Sequence, residues 1–244
     1  MLRLRVVFNN VPHRAGLTTA WGFACWVATP GKTVLFDTGS SGDILLATMD
    51  ELGLEPGQVA AVVLSHIHGD HCGGLSAFLA RNADVTVYVP ASFPASFRQE
   101  VVAAGAAVET VAGPRTLFPG VHSTGEMGWS VREQALIVDC EAGLVLITGC
   151  AHPDVAEFAV RARSYRNRPL HLVMGGFHLG GKSESAVAAT IARLETLGVR
   201  KVAPSHCTGD RAIRMFREAW GEDFVEGGLG AVIELPTGRA ADSL

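Results

Sequence analysis

Ala60-Ala61-Val62-Val63-Leu64-Ser65-His66-Ile67-His68-Gly69-Asp70-His71-Cys72-Gly73-Gly74 is the stretch on which the reading of this chain turns. Its first five residues are short, apolar and valine-rich, the signature of a buried strand. That strand runs directly into His66, His68, Asp70 and His71, four donors within six residues. A single histidine here would be an ordinary satisfied imidazole. Three imidazoles and a carboxylate crowded together are costly to pack unless a cation binds them, and this mixture suits Zn, Mn or Fe. In an extended stretch alternate side chains face the same way, so His66 and His68 can grip one ion together. After Gly69 the chain turns, and Asp70 and His71 can face a second. Gly73-Gly74 lets the backbone pass close by and start a helix.

Outward from this stretch the chain alternates short strands and helices. Upstream, Leu2–Phe8, Phe23–Thr29 and Thr33–Phe36 read as strands, and Asp43–Leu52 as a helix with one apolar face. Downstream, Val85–Val89 is a strand and Ser92–Gly105 a helix. Ala135–Asp139 and Leu144–Thr148 form a hairpin around Glu141-Ala142-Gly143. Helices are expected over Asp154–Arg166, Ser183–Leu197 and Asp210–Trp220, with strands at Leu170–Met174, Val199–Pro204 and Ala231–Leu235. No linker divides the halves, so the expectation is one domain over residues 1–244, an α/β sandwich with two sheets in the middle. Hairpin signals in both halves argue against one fully parallel sheet.

Composition narrows the function classes. The 244 residues carry 20 Lys and Arg against 24 Asp and Glu, a net charge of −4. No basic stripe is present, which disfavours nucleic acid as a partner. The five cysteines, Cys25, Cys72, Cys140, Cys150 and Cys207, form no CxxC pair and are odd in number, unlike a secreted disulfide framework. No stretch approaches the ~20 apolar residues that span a bilayer, and the start lacks the apolar run of a signal peptide. These features lead to the expectation of a reduced, cytoplasmic protein acting on a small molecule away from membranes. They leave the oligomeric state open.

The segment His66-x-His68-x-Asp70-His71 resembles the HxHxDH signature of the metallo-β-lactamase superfamily. Asp37-Thr38-Gly39, after the strand Thr33–Phe36, resembles that family's upstream aspartate turn. Gly149-Cys150-Ala151-His152, Gly175-Gly176-Phe177-His178-Leu179 and Pro204-Ser205-His206-Cys207-Thr208-Gly209 follow in order. Together they resemble the subgroup typified by a 7,8-dihydropterin-6-methyl-4-(β-D-ribofuranosyl)aminobenzene 5'-phosphate synthase. The resemblance implies a four-layer αββα sandwich with two divalent metal ions at one sheet edge, Zn by default and Mn or Fe as alternatives. It implies His66, His68 and His152 for the first ion, and Asp70, His71 and His206 for the second.

In many family members an aspartate follows the Thr-Gly of this region and bridges the metals. Here Thr148-Gly149 is followed by Cys150, which reads either as a ligand thiolate or, slightly favoured, as a small buried residue. Glu126 is a weaker candidate for the missing carboxylate. Asp37 either orients a ligand imidazole or caps a turn. His178 either faces the substrate or caps its strand. Thr208 and Asp210 are both candidate N-caps of the last helix, whose positive end would suit phosphate, and Thr208 is the candidate substrate contact. Trp21 and Trp26 read as core or pocket wall.

Two ions about 3.5–4 Å apart share a water and lower its pKa, so a bridging hydroxide is the expected nucleophile, with Asp70 orienting it and taking its proton. No GxSxG serine motif competes. The expected activity is a metal-dependent hydrolase acting on a small anionic ester. The rivals are a dihydropterin synthase-like transferase on the same metals, a metal-retaining binding or sensing protein, and a redox di-iron enzyme, for which no flavin motif is visible.

Overall fold

A computed structural model describes residues 1–237. The expectation of one domain reached to 244, and its last seven positions lie outside the described residues. Val59–Val63 forms β4, the strand predicted ahead of the histidines. The strands before it are β1 (Leu2–Asn9), β2 (Phe23–Ala28) and β3 (Thr33–Phe36). Those after it are β5 (Thr86–Pro90), β6 (Ala107–Val111), β7 (Arg115–Phe118), β8 (Val121–Ser123), β9 (Leu136–Cys140), β10 (Gly143–Thr148), β11 (Leu170–Gly176), β12 (Lys201–Ser205) and β13 (Val232–Leu235). They build two sheets, in the orders β13-β1-β2-β3-β4-β5-β6 and β12-β11-β10-β9-β8-β7.

Among the described residues seven α-helices accompany these sheets: α1 (Gly42–Glu51), α2 (Gly69–Cys72), α3 (Leu75–Arg81), α4 (Ala95–Ala103), α5 (Val155–Arg166), α6 (Glu184–Thr196) and α7 (Asp210–Trp220). Side chains that are apolar on both faces of the strands explain the layering. Leu4, Phe36 and Val63 from one sheet meet Val138, Ile147 and Met174 from the other in the central core. Leu45, Met49 and Phe78 cover the outer face of the first sheet, and Phe158, Val187 and Phe216 that of the second. Three buried interfaces make four layers, the αββα sandwich that the resemblance implied. Among the described residues no helix is long and apolar enough to cross a membrane.

Local chemistry sets the boundaries. Ser41 and Ser183 accept hydrogen bonds from the Ile44 and Ala186 backbone N–H groups and start α1 and α6. α4 begins at Ala95 rather than Ser92, because a residue before proline, here Phe93 before Pro94, is pushed out of helical geometry. The hairpin turn holds only Glu141 and Ala142, since Gly143 already pairs with Cys140. The strands between 107 and 123 have no counterpart in the sequence reading. β6 and β7 are edge strands with mostly exposed or half-exposed residues, so they carry little hydrophobic alternation.

The β8–β9 region holds a half-buried ion cluster. Asp139 Oδ2 lies 3.2 Å from His122 Nε2 and 2.9 Å from Arg166, while Oδ1 lies 3.3 Å from Arg168. Burial would raise this carboxyl, but His122 and then Arg166 outweigh it and hold it at about 2. A depressed carboxylate contributes stability above its unfolded pKa near 3.8 and loses it as pH falls toward 2. Asp139→Asn should therefore cost about 1–2 kcal/mol at neutral pH and flatten the acid limb between roughly pH 4 and 2. Urea unfolding at several pH values checks this; a pH-independent difference would contradict it.

The parallel pairings β3–β4, β10–β11 and β11–β12 point several strand ends the same way. Asp37 follows β3, Ser65–His71 follow β4, Cys150–His152 follow β10, His178 follows β11 and His206 follows β12. Such carboxyl-end crevices are where open α/β sheets gather ligands.

Candidate metal centre

The donors collect into two adjoining sets. His66, His68 and His152 have ligand atoms within 4.8 Å of one another, and so do Asp70, His71, Cys150 and His206. Cys150 also falls within that distance of His152 and His178. The expected partition into two groups is thus what the structure brings together, with Cys150 added to the second. Its Sγ stands 3.2 Å from His71 Nε2 and its side chain is 4% exposed. Its place among donors on both sides favours the ligand alternative over simple packing. The hydrogen bond with Cys207, followed by burial, raises the Cys150 thiol, so ionising it requires a cation beside it.

Each buried imidazole is held by Nδ1, which leaves Nε2 for the centre. Ser65 Oγ donates to Asp37 Oδ2 at 2.7 Å, so it accepts from His66 Nδ1 at 2.9 Å. His71 Nδ1 donates to Asp37 Oδ2 at 2.7 Å, and His206 Nδ1 to Asn10 Oδ1 at 2.7 Å. His152 Nδ1 donates to Glu133 Oε2 at 2.9 Å. Metal-ligating histidines carry their second nitrogen in this manner. His68 is exposed, with Nδ1 3.2 Å from His66 Nε2.

Asp37 is fully buried, and its Oδ1 also accepts from the Ser65 backbone N–H at 2.7 Å. It therefore ties the metal loop and one imidazole together, the orienting role foreseen for it. Thr38 Oγ1 donates to the His71 carbonyl and fixes the far end of the loop. A Cβ on Gly74 would run into the Thr38 carbonyl oxygen, so the foreseen close passage needs glycine there.

Glu133 has no counterpart in the sequence reading. It is fully buried, and Oε1 accepts from the Cys150 and Ala151 N–H groups at 2.9 and 2.8 Å. Oε2 accepts from the His152 N–H at 3.0 Å as well as its ring. Burial opposes the charge, but His152 and then His66 hold the carboxyl down at about 2. One charged residue ahead of the apolar run Ala135–Val138 was the available signal, and many surface residues look the same.

Three expectations are corrected. Glu126 accepts from the Ser92 N–H at 2.6 Å and pairs with Arg132 at 2.9 Å, so it is committed to the surface loop. Thr208 is fully buried and its Oγ1 accepts from the Phe177 N–H at 3.0 Å, which takes it out of reach of a substrate. Neither Thr208 nor Asp210 caps α7: Gly209 occupies that position without a side-chain bond, and Asp210 lies in the first turn. His178 is exposed and its ring lies 4.4 Å from that of His152, at the rim of the first donor set. Trp26 is core and Trp21 is an exposed wall beside His206.

The electrostatics and backbone both favour a cation. Burial disfavours charge on His71, yet Asp37 and then Asp70 outweigh it and raise its pKa to about 10. Burial likewise works against ionised Asp70, but His206 and His71 hold it well below the carboxylate range. His66, desolvated, is pushed down to about 2 and is neutral, whereas a cation bound at His71 would have to displace the proton from its Nε2. His206 Nε2 is buried without a hydrogen-bond partner, 3.4 Å from Asp70 Oδ2. Buried polar atoms of this kind call for a partner. Asp37, Ala151, His178 and His206 all have φ between 51° and 60°, conformations costing about 1–3 kcal/mol each and found where function holds the chain.

Residues 22–206 match the profile of the metallo-beta-lactamase superfamily. The chain is 28% identical to a 7,8-dihydropterin-6-methyl-4-(beta-D-ribofuranosyl)-aminobenzene-5'-phosphate synthase of Methanocaldococcus jannaschii, over 83% of this chain and 84% of that one. The fold resembles Tm1679, a metal-dependent hydrolase of the beta-lactamase superfamily, with a TM-score of 0.82 and 24% identity over 97% of this chain and 100% of the other. It also resembles the metallo-beta-lactamase fold protein YhfI from Bacillus subtilis, with a TM-score of 0.70 and 13% identity over 95% and 98% of the two chains.

Proposed function

Because the chain belongs to the metallo-beta-lactamase superfamily, we propose that it is a hydrolase of small anionic, phosphorylated esters that holds two divalent metal ions. The observation that carries this is the pair of adjoining donor sets, with the imidazoles of His66, His71, His152 and His206 fixed through Nδ1 and the Nε2 of His206 left buried and unpartnered. The residues fit the group: His66, His68 and His152 hold the first ion, and Asp70, His71, His206 and Cys150 the second. When bound, divalent ions would supply Lewis acidity to an ester and to a water. Asp70, half-buried and ionised, would orient a water and accept its proton. Asp37 and Glu133 keep the imidazoles aimed. The thiol donor of Cys150 favours Zn over the harder Mn.

The preference for an anionic substrate rests on the ions and on His178, exposed at the rim of the first donor set with its ring 4.4 Å from that of His152. The loss of Thr208 as a contact removes the helix-end argument. Turnover of phosphomonoesters, phosphodiesters and a neutral lactone, each with inorganic phosphate as competitor, tests the reading. Phosphorylated substrates should have the higher kcat/KM and phosphate should inhibit; equal rates without inhibition would overturn it.

A transferase on the same donors is the second reading, favoured by the likeness to the Methanocaldococcus synthase over most of both chains. Formation of the product in that relative's name, with no ester hydrolysis, would select it.

A further inference from the structure

Trp21 is 58% exposed and Trp129 95%, whereas Trp26 and Trp220 are 3% and 9% exposed in the cores. The Trp21 ring centroid lies 4.9 Å from that of His206, tilted by 52°, so one edge packs on a donor imidazole while much of the ring faces solvent. Isolated exposed apolar residues are common on any surface. This one is held in place from both ends of its loop. Asn10 binds the His206 ring and, through Nδ2 at 3.4 Å, the His206 carbonyl. Gly22, next to Trp21, passes so close to the Asp70 carbonyl oxygen that a Cβ would collide with it. The loop between Asn9 and Phe23 is therefore fixed against the second donor set, and the indole stands at its edge. The mouth of a strongly polar centre thus has an apolar ring beside its second donor set.

We infer that Trp21 determines specificity by stacking a flat unsaturated ring of the substrate, carried next to the anionic group that reaches the donors. The inference rests on the anionic-substrate reading and deepens it. A compact polar ligand would leave the indole in water. A substrate with a ring beside its anionic group covers both surfaces at once, and aromatic faces accept any π-system without hydrogen-bond readout. The ring adds affinity and orientation, and Trp21 takes no part in proton transfer.

Calorimetric titration of the zinc-loaded full chain with phenylphosphonate, methylphosphonate and inorganic phosphate tests this. Wild type should bind phenylphosphonate about tenfold more tightly than methylphosphonate, the low end of a base-on-aromatic stack. Trp21→Ala should bring that ratio to about 1–2 while leaving phosphate affinity and metal content unchanged, and Trp21→Phe should keep part of it. A ratio near one in wild type, or one that survives in Trp21→Ala, would overturn the role of Trp21. A Trp21→Ala protein that loses metal but keeps the ratio would show packing on His206 alone, and would also overturn it. If none of the three probes binds wild type, the anionic-substrate reading fails, and this inference falls with it.

Discussion

Glu133→Ala should destabilise the fold by about 3–5 kcal/mol, since each buried donor left unpaired costs about 1–3 kcal/mol and water entering the gap recovers part of the loss. The donors at stake are the N–H groups of Cys150, Ala151 and His152 and the His152 ring. For a chain of this size the melting temperature should drop by roughly 6–20 °C. Glu133→Gln separates the two roles of the carboxylate. Its amide oxygen can still accept from Cys150 and Ala151, while its NH2 group opposes the two donors of His152. The fold should then suffer less, but the His152 ring loses its anchor, and the first ion should bind about 10–100-fold more weakly. Thermal unfolding and competition with a metal chelator read the two effects. A Glu133→Ala protein as stable as wild type would show that the hydrogen bonds to this carboxylate contribute little.

Asp70→Asn should keep the fold and lose activity. The Asp70 carboxylate faces the Nε2 atoms of His71 and His206 at 3.5 and 3.4 Å, both donors of the second set. The amide is isosteric but uncharged, so it binds a cation poorly and cannot take a proton. Turnover on a phosphorylated ester should fall by about 10²–10⁴-fold, the range for a positioned acid–base group. The purified variant should retain the ion held by His66, His68 and His152 and lose the other. Full activity in Asp70→Asn would contradict the role given to this carboxylate.

The ordered strand ends and the donor-rich loop were legible because their signals are local. A valine-rich strand feeding His66-x-His68-x-Asp70-His71 needs no knowledge of distant contacts. His152 and His206 were assigned through the resemblance, and the sheets bring both to the same edge. What stayed hidden depends on long-range geometry. Glu133 acts through a loop that meets β10 and the metal loop only in three dimensions. Cys150 looks like a small core residue until β10 carries it against His71. Thr208 misled for the same reason: a hydroxyl near a helix start is a common cap, but the fold turns it inward to Phe177. The edge strands β6 and β7 were missed because exposed strands do not alternate.

The central claim is that the two donor sets hold two ions. Elemental analysis of the full chain, purified after growth in metal-supplemented medium, tests it most directly, with Asp70→Asn measured alongside. The account predicts close to two divalent ions per chain in wild type and close to one in the variant, because seven donors exceed the needs of a single tetrahedral ion. Wild-type protein that binds no metal, or a single ion unaffected by Asp70→Asn, would contradict it.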